Sequence, residues 1–204
     1  ANKFEAERPE HLMKAAVPFT DAVITTRELI WMIKAYGIDF AGLPENDFDT
    51  PLGFSTGAGD IFGTTGGVME AALRTAAEKL TGKPLENPEF TQVREAEGLK
   101  EASIEIGGRT LNVAVANGLT NAKTILDRVR EGKKQYHIVE LMACPGGCIG
   151  GGGQPYPVRG YHVLDKRLLK KRAGALYAID EEKKIRMSHE NPFIKKLYKE
   201  YLGE

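Results

Sequence analysis

The chain has 204 residues, which is enough to bury a sizeable core in one domain or in two small ones. Its 28 Lys and Arg residues balance 28 Asp and Glu residues, so the sequence lacks the basic excess that attracts nucleic acid or an anionic membrane surface. No run approaches the roughly 18 apolar residues that a membrane-spanning helix requires, and we therefore expect no membrane span.

The first predicted elements are a short strand followed by a helix. Asp21–Thr25 is apolar and rich in β-branched residues, which is typical of a buried strand. Thr25 and Glu28 have the spacing of a capping box, and Gly37 stands where the helix would end. Between these limits one helical face carries the apolar residues Leu29, Ile30 and Ile33. Residues 38–51, rich in Pro, Asp and Asn, predict a loop.

A glycine-rich stretch, Gly53–Gly67, leads directly into a second predicted helix at residues 68–81, with Gly82 at its end. The free N–H groups and the positive dipole end of such a helix attract anions, most often phosphate. The lysine of a P-loop and a strict Gly-x-Gly-x-x-Gly pattern are both missing, however. The stretch therefore fits a tight turn against a packed helix at least as well as an anion site.

A segment of predicted strands follows. Thr91–Arg94 and Ala102–Ile106 are expected to be strands, the second because apolar and polar residues alternate along it. Gly107 and Gly108 predict a two-residue hairpin turn into a strand at Thr110–Ala116. These last two strands should therefore pair antiparallel, with the second strand the more buried.

Beyond the hairpin, Ala122–Glu131 has the apolar stripe of an amphipathic helix, and Tyr136–Met142 is a predicted strand. The two cysteines of the chain, Cys144 and Cys148, follow this strand at once, with six glycines between and behind them. Ligands in open α/β sheets gather beyond the carboxyl ends of strands. Because thiolate is a soft ligand and glycine lets backbone approach a bulky group, the stretch favours a metal or cluster site.

The Cys-x-x-x-Cys spacing alone leaves other interpretations open: a small disulfide loop, two inert buried thiols, or half of a zinc site. Two cysteines supply half of a four-ligand site, so the remaining ligands of a cluster must come from elsewhere. Two cysteines are also too few for a secreted disulfide framework. We therefore expect a reducing, cytoplasmic compartment, with the periplasm as the alternative.

The last part of the chain is predicted to be helical. Asp165–Tyr201 combines many Lys, Arg and Glu residues with apolar residues at helical intervals, which indicates two or more helices that wrap the main body. The break between them is expected at residues 180–191. Pro192 suits the first turn of the last helix, with Asn191 or Ser188 as its cap.

Three stretches together carry a resemblance to a known family. Met142–Pro155 closely resembles the third signature of the iron-iron hydrogenases, enzymes that reduce protons and oxidise hydrogen. Gly57–Arg74 is similar to another characteristic stretch of the same family. Arg186–Pro192, leading to Leu197 and Tyr198, resembles a helical segment that some members carry fused and others carry as a small subunit. The resemblance covers essentially the whole chain.

The resemblance implies a role for each matching residue. In the family, a 4Fe-4S cubane is joined through one cysteine thiolate to a two-iron unit that bears carbon monoxide, cyanide and a bridging dithiolate. Cys144 resembles the cysteine that binds only the cubane, and Cys148 resembles the catalytic cysteine that bridges the two parts. Met142 resembles the catalytic methionine that packs on the two-iron unit, while Phe62 and Gly63 fall where the family lines the diatomic ligands.

The resemblance also implies that part of the centre lies outside the chain. The family has two further cubane cysteines in two upstream signatures, and this sequence contains neither. The opening residues are similar to the tail of the second signature, with Asn2 at the position of a lysine that contacts cyanide and Glu5 matching the signature's acid. A shift of one residue would place Lys3 there instead. A preceding segment or a separate chain should therefore supply two cysteines.

We expect an α/β fold in which residues 1–157 form a mixed sheet flanked by helices, as half of a hydrogenase active-site domain. Residues 158–204 should form a helical wrap that resembles the small subunit. The implied activity is the reversible reduction of protons to hydrogen, with a ferredoxin or a nicotinamide-linked subunit as electron carrier. The alternative is a non-catalytic relative that senses hydrogen or assembles iron–sulfur clusters.

Overall fold

The computed structural model describes most of the chain, namely residues 3, 6–8, 10, 13–14, 16–47, 49–50, 53–94, 98–157, 162 and 164–203. The chain divides into two units, each with its own internal contacts. The first comprises Ala1–Phe48 and Gly152–Tyr156, and the second comprises Asp49–Gly151 and Pro157–Glu204.

The first unit contains a small strand pair and one helix. Strands β1 (Met13–Lys14) and β2 (Val17–Pro18) pair antiparallel, and helix α1 spans Thr26–Ala35. The capping box predicted at the start of α1 is present. The Thr25 N–H donates to Glu28 Oε2 over 2.7 Å, and the Glu28 N–H donates to the Thr25 hydroxyl over 3.2 Å.

The strand predicted at Asp21–Thr25 is wrong, because the structure has no strand at these residues. A β-branched run favours extended backbone, but a strand also needs a partner for its N–H and C=O groups. Here Thr25 keeps extended angles, φ −81° and ψ 162°, as the cap of α1. The end of α1 before Gly37 matches the prediction, and a 3₁₀ turn at Phe40–Gly42 lies within the predicted loop.

The glycine-rich stretch of the second unit is more regular than predicted. It contains a short helix, α2 (Gly57–Asp60), and a 3₁₀ turn at Ile61–Gly63. Helix α3 then runs from Gly67 to Thr81, and Gly82 ends it as the sequence predicted. The 3₁₀ turn matters for the site, because it carries the predicted residues Phe62 and Gly63.

The second unit also contains a three-stranded sheet, formed by β3 (Leu99–Ile106), β4 (Arg109–Asn117) and β5 (Ile138–Met142). Strands β3 and β4 form the predicted antiparallel hairpin around Gly107 and Gly108. Strand β4 pairs in parallel with β5, so the strand order is β3-β4-β5. The sheet is therefore mixed, and the predicted α/β fold class is confirmed.

Helices cover both faces of the central strand β4. One face meets α3 in a core made of Met69, Leu73, Ala77, Val93, Ile104, Ile106, Val113 and Val115. Helix α4 (Leu119–Arg130), which connects β4 to β5, places Ile125 against Ala114 and Ala116 on the opposite face. A fully buried side chain such as Leu73 stabilises the fold by roughly 1.5–3 kcal/mol.

The strand predicted at Thr91–Arg94 is also wrong, since these residues form a 3₁₀ turn at Thr91–Val93. The turn satisfies its backbone locally, because the Val93 N–H donates to the Phe90 carbonyl over 3.1 Å. Val93 packs into the core below α3. Val93 therefore contributes its side chain to the core from a turn rather than from a strand.

The tail has the predicted helical character. It consists of α5 (Lys166–Glu182), a 3₁₀ turn (Ser188–Glu190), α6 (Pro192–Leu197) and a π turn (Tyr198–Leu202). Asn191 caps α6, with its Oδ1 accepting the Phe193 N–H over 2.9 Å, and Pro192 occupies the first turn as predicted. In the part of the chain that the structure describes, no helix combines the length and apolarity needed to cross a membrane.

A closed ring of ion pairs joins the tail to α3. Arginines alternate with acids around it, so that each charge contacts two of opposite sign, in the order Arg74, Glu70, Arg94, Glu89, Arg186 and Asp180. Arg74 and Asp180 are fully buried and form a bidentate pair, with both N···O distances 2.8 Å. Burial alone would raise the pKa of Asp180, but hydrogen bonds from Arg74 and Arg186 outweigh burial and lower it.

Asp180→Ala should destabilise the chain strongly, because Arg74 would remain buried with one of its two acidic partners removed. We expect the free energy of unfolding to fall by about 3–5 kcal/mol in chemical denaturation. The matched control is Asp127→Ala, since Asp127 pairs with Lys123 at the surface, where a pair contributes at most about 1 kcal/mol. Equal losses for the two variants would contradict the role of the ring.

Acid should remove the same stabilisation. Because folding lowers the pKa of Asp180, its contribution is fully present above the unfolded pKa of about 4 and is lost as the pH falls through the folded value. The difference in unfolding free energy between the wild type and Asp180→Ala should therefore shrink below about pH 4. Denaturation curves recorded between about pH 2 and pH 7 check this, and a constant difference would speak against it.

Candidate metal centre

The two cysteines follow β5 at the carboxyl edge of the sheet, as the sequence predicted. Met142 ends β5 beside Asn117, the last residue of the parallel strand β4. The Met142 carbonyl accepts a hydrogen bond from the Gly118 N–H over 2.8 Å, which holds the two strand ends together. Met142 itself is half-buried. This edge is where ligands gather in open α/β sheets.

The cysteine loop folds into consecutive tight turns. The Gly147 N–H donates to the Cys144 carbonyl and the Gly151 N–H donates to the Cys148 carbonyl, each over 3.0 Å. The second of these bonds closes a 3₁₀ turn at Cys148–Gly150. Cys144 is half-buried and Cys148 is exposed, and the two do not form a disulfide with each other. The loop is therefore not a small disulfide loop in this structure, and both side chains are thiols that can act as metal ligands.

The turn that carries Phe62 and Gly63 lies against the cysteine loop, backbone to backbone. The Thr65 N–H donates to the Gly146 carbonyl over 3.0 Å. Gly147 has φ +91°, and a Cβ atom there would lie 2.7 Å from the Gly63 oxygen and 2.8 Å from the Thr65 nitrogen. Both the backbone angle and this close approach require glycine. Two predicted parts of the site thus lie side by side.

Glu140 on β5 is a candidate that the sequence analysis did not single out. Its carboxylate, on a residue that is 7 % exposed, accepts the Gly66 N–H over 2.7 Å and the Met69 N–H over 2.6 Å at the start of α3. Burial raises the pKa of Glu140, and these N–H groups act in the opposite direction. The anion at this glycine-rich helix start is therefore a carboxylate of the chain itself rather than phosphate. The sequence signal that could have identified Glu140 is the presence of an ionisable residue inside the predicted strand Tyr136–Met142.

Helix α5 supports the cysteine loop from the tail. The Arg172 guanidinium donates to the Ile149 carbonyl over 2.8 Å. Beside this contact, a cavity of about 460 Å³ is lined by Pro145 and Ile149 of the loop and by Lys170 and Tyr177 of the helix. Burial raises the pKa of Tyr177, so its hydroxyl keeps its proton across the physiological range.

The residues present fit half of a thiolate-bound iron–sulfur centre. Cys144 and Cys148 supply two soft ligands on one loop, and the backbone of Gly151 lies beside the Cys144 sulfur. Among the described residues, no group of three or more His, Cys, Asp or Glu side chains could hold a metal ion by itself. A self-contained zinc site needs four ligands and is not what these residues form. The predicted cofactor-binding residues Asn2 and Glu5 lie outside the described residues.

The fold and the cysteine loop define an α/β protein that presents two cysteines at the carboxyl edge of its sheet. Comparison with known proteins specifies the class: the chain belongs to the iron-only hydrogenase family. Residues 1–152 match the family described as Iron only hydrogenase large subunit, C-terminal domain, and residues 165–204 match Iron hydrogenase small subunit. The resemblance inferred from the motifs is confirmed.

Several curated proteins are similar over most of the chain. NADP-reducing hydrogenase subunit HndD from Solidesulfovibrio fructosivorans is 52 % identical over 100 % of the chain and 34 % of its own length. The periplasmic Fe hydrogenase large subunit from Nitratidesulfovibrio vulgaris is 48 % identical over 85 % of the chain and 41 % of its own length. Protein NAR1 from Arabidopsis thaliana is 36 % identical over 90 % of the chain and 39 % of its own length. The chain therefore spans well under half the length of these relatives.

Solved structures share the fold. A variant of FeFe-hydrogenase HydA1 from Chlamydomonas reinhardtii matches with a TM-score of 0.72 at 43 % identity, over 100 % of the chain and 57 % of that protein. A structure described as revealing stepwise H-cluster assembly in HydA(deltaEFG) matches with a TM-score of 0.73 at 42 % identity, over 100 % of the chain and 56 % of that protein. The mixed sheet flanked by helices is thus a fold of FeFe-hydrogenases.

Gly147→Ala should force the two loops apart, because the new methyl group would overlap the backbone of Gly63 and Thr65. We expect the free energy of unfolding to fall by about 1–3 kcal/mol in chemical denaturation. Gly152→Ala is the control, since a Cβ atom at Gly152 meets nothing within 4 Å, and its effect should stay within about 0.5 kcal/mol. If the two variants were equally stable, the backbone contact would not have the importance assigned to it.

Proposed function

We propose that the chain is the C-terminal part of an iron-iron hydrogenase catalytic subunit, in which two protons and two electrons combine reversibly to give hydrogen. One observation carries this proposal: the Cys144–Cys148 loop and the Phe62–Gly63 turn meet backbone to backbone at the edge of the sheet. The loop provides two cysteine side chains as ligands, and the turn provides one wall of the pocket. This chain can therefore contribute both the ligands and part of the lining of a cluster pocket.

Each predicted residue has a role in this proposal. Cys144 would hold the 4Fe-4S cubane, and Cys148 would be the residue that holds both the cubane and the two-iron unit. When bound, the cubane supplies electron transfer, and the two-iron unit with its carbon monoxide, cyanide and dithiolate ligands supplies the proton chemistry. Met142, Phe62 and Gly63 form low-polarity walls that keep water from the diatomic ligands.

The rest of the centre comes from outside the chain in this proposal. An upstream half of the same subunit, or a separate chain, supplies the other two cubane cysteines, and Asn2 and Glu5 line the cofactor on that side. Residues 1–157 belong to the active-site domain, and residues 158–204 form the small-subunit-like tail. The greater length of the relatives supports this division of the centre between two segments.

An electron carrier completes the proposed reaction, and a ferredoxin or a nicotinamide-linked subunit has the required chemistry. The relative HndD is by name an NADP-reducing hydrogenase subunit, which supports the nicotinamide-linked partner. We propose a cytoplasmic location. The periplasm is the alternative, because another relative is named as a periplasmic hydrogenase.

The second candidate is a non-catalytic role in hydrogen sensing or iron–sulfur cluster assembly. The assembly role is supported by the relative described as Cytosolic Fe-S cluster assembly factor narfl from Xenopus tropicalis, which is 33 % identical over 74 % of the chain. Iron hydrogenase 1 from Clostridium pasteurianum, in contrast, is 47 % identical over 100 % of the chain. The higher identity over more of the chain favours the enzyme.

Hydrogen evolution separates the two candidates. The chain is combined anaerobically with the missing upstream half and a matured two-iron unit, and hydrogen is measured with a chemically reduced carrier as electron source. We expect turnover for the loaded wild type and none for Cys148→Ser treated in the same way. A fully loaded wild-type centre that produced no hydrogen would overturn the enzymatic proposal in favour of the second candidate.

The two thiols should differ in their effects on the cofactor, because only one of them bridges in the proposed centre. Cys148→Ser is expected to lose the two-iron unit while part of the cubane signal in electron paramagnetic resonance remains. Cys144→Ser should mainly weaken the cubane signal itself. Equal and mild effects of the two substitutions would contradict the assigned roles.

A further inference from the structure

The Glu140 carboxylate is a buried anion that is held by backbone N–H groups. Its partners are the N–H groups of Gly66, Val68 and Met69 at the start of α3. A buried carboxylate is costly unless it is hydrogen-bonded, and the N-terminus of a helix supplies both donors and a positive dipole end. Glu140 is therefore fixed in place by the same helix start that follows the Phe62–Gly63 turn.

Two hydrogen bonds connect this helix start to the segment that carries the site. Glu140 accepts the Gly66 N–H, and six residues later the Gly146 carbonyl accepts the N–H of the neighbouring Thr65. The chain between these two anchor points contains Met142 and Cys144. Both ends of that segment are therefore attached to one dipeptide, which lies one residue beyond the turn that lines the other side of the site.

We propose that Glu140 is a positioning residue that sets the distance between the Phe62–Gly63 turn and the Met142–Cys148 loop. The inference rests on the proposed function, because that function defines what the two segments surround. Glu140 itself acts only through the backbone N–H groups at the start of α3. Glutamine at this position would keep one acceptor but would turn its NH₂ group toward a second N–H donor, so one anchor would be lost.

Glu70 provides a control that separates positioning from a general contribution to folding. Like Glu140 it is a buried acid beside the start of α3, and it is fully inaccessible to solvent. Its hydrogen bonds go to Arg74, Arg94 and the Phe90 N–H, none of which belongs to either loop. Glu70→Gln should therefore weaken the fold without moving the site.

Amide hydrogen exchange in the 204-residue chain gives the first readout. Glu140→Gln should speed exchange at Thr65, Gly66 and Gly147 by roughly tenfold or more, after correction for the change in global stability. Glu70→Gln should leave these three amides within about twofold of the wild type after the same correction. Equal effects of the two variants on these amides would overturn the inference.

Infrared spectroscopy of the loaded protein gives the second readout. With the upstream half and the two-iron unit present, Glu140→Gln should shift the carbon monoxide and cyanide stretching bands, whereas Glu70→Gln should leave them in place. Glu140→Asp, which keeps the charge but shortens the side chain by one methylene, carries the test if glutamine prevents folding. It should shift the bands while keeping the Gly66 amide protected, and unchanged bands would overturn the inference.

The two readouts distinguish failure of this inference from failure of the proposed function. If the wild type took up no two-iron unit, the proposed function would fail, and the exchange measurement alone would still decide whether Glu140 anchors the loops. If the wild type loaded normally and the bands of Glu140→Gln matched those of Glu70→Gln, the proposed function would stand and the role of Glu140 would be rejected.

Discussion

The candidate site depends on direct backbone contact between two loops at the carboxyl edge of the sheet. Gly147 approaches the Gly63 carbonyl and the Thr65 N–H at a distance that leaves no room for a Cβ atom. The neighbouring elements hold this contact in place. The cysteine loop follows β5, and the facing turn precedes α3. Arg172 on α5 donates a hydrogen bond to the cysteine loop from the tail. The contact between the two loops is therefore made by polypeptide backbone, which side-chain rotation cannot open.

Two buried acids at the start of α3, Glu140 and Glu70, are stabilised by different kinds of partner. At the N-terminus of α3, Glu140 is stabilised by backbone N–H groups, whereas Glu70, within the first turn of the helix, is paired with Arg74 and Arg94. Backbone dipoles stabilise the Glu140 carboxylate without cancelling its charge, whereas the two arginines are cations that offset the charge of Glu70. The arrangement keeps the arginines on the side of α3 that faces the tail.

Much of the fold was predictable because its signals are local. The capping box at Thr25 and Glu28, the turn at Gly107 and Gly108, and the end of α3 at Gly82 each involve residues close in sequence, and the structure confirms all of them. The strands predicted at residues 21–25 and 91–94 are wrong because extended propensity does not supply a pairing partner. Whether a segment becomes a strand depends on its tertiary contacts, and local composition gives no information about those contacts.

The residues of the candidate site show the same difference, because some were predictable from local patterns and one depended on a long-range contact. The spacing of Cys144 and Cys148 marked the loop, and the motif resemblance added Phe62, Gly63 and Met142. No local pattern indicated that Glu140 would reach a helix start more than seventy residues away in sequence. An acid inside a predicted strand that contacts a distant helix start is the type of feature that only long-range contacts explain. Sequence patterns therefore did not reveal Glu140, the residue that supports both loops.

The ion-pair ring between α3 and the tail also bears on how the two parts of the chain are connected. On the body, Arg74 and Arg94 balance Glu70 and Glu89, and on the tail Arg186 balances Asp180. Each part of the ring is thus neutral by itself, and docking adds cross-pairs rather than cancelling an excess charge. The peptide link between body and tail then acts chiefly by raising their effective concentration. A tail encoded as a separate polypeptide could present the same complementary surface, with assembly then governed by subunit concentration.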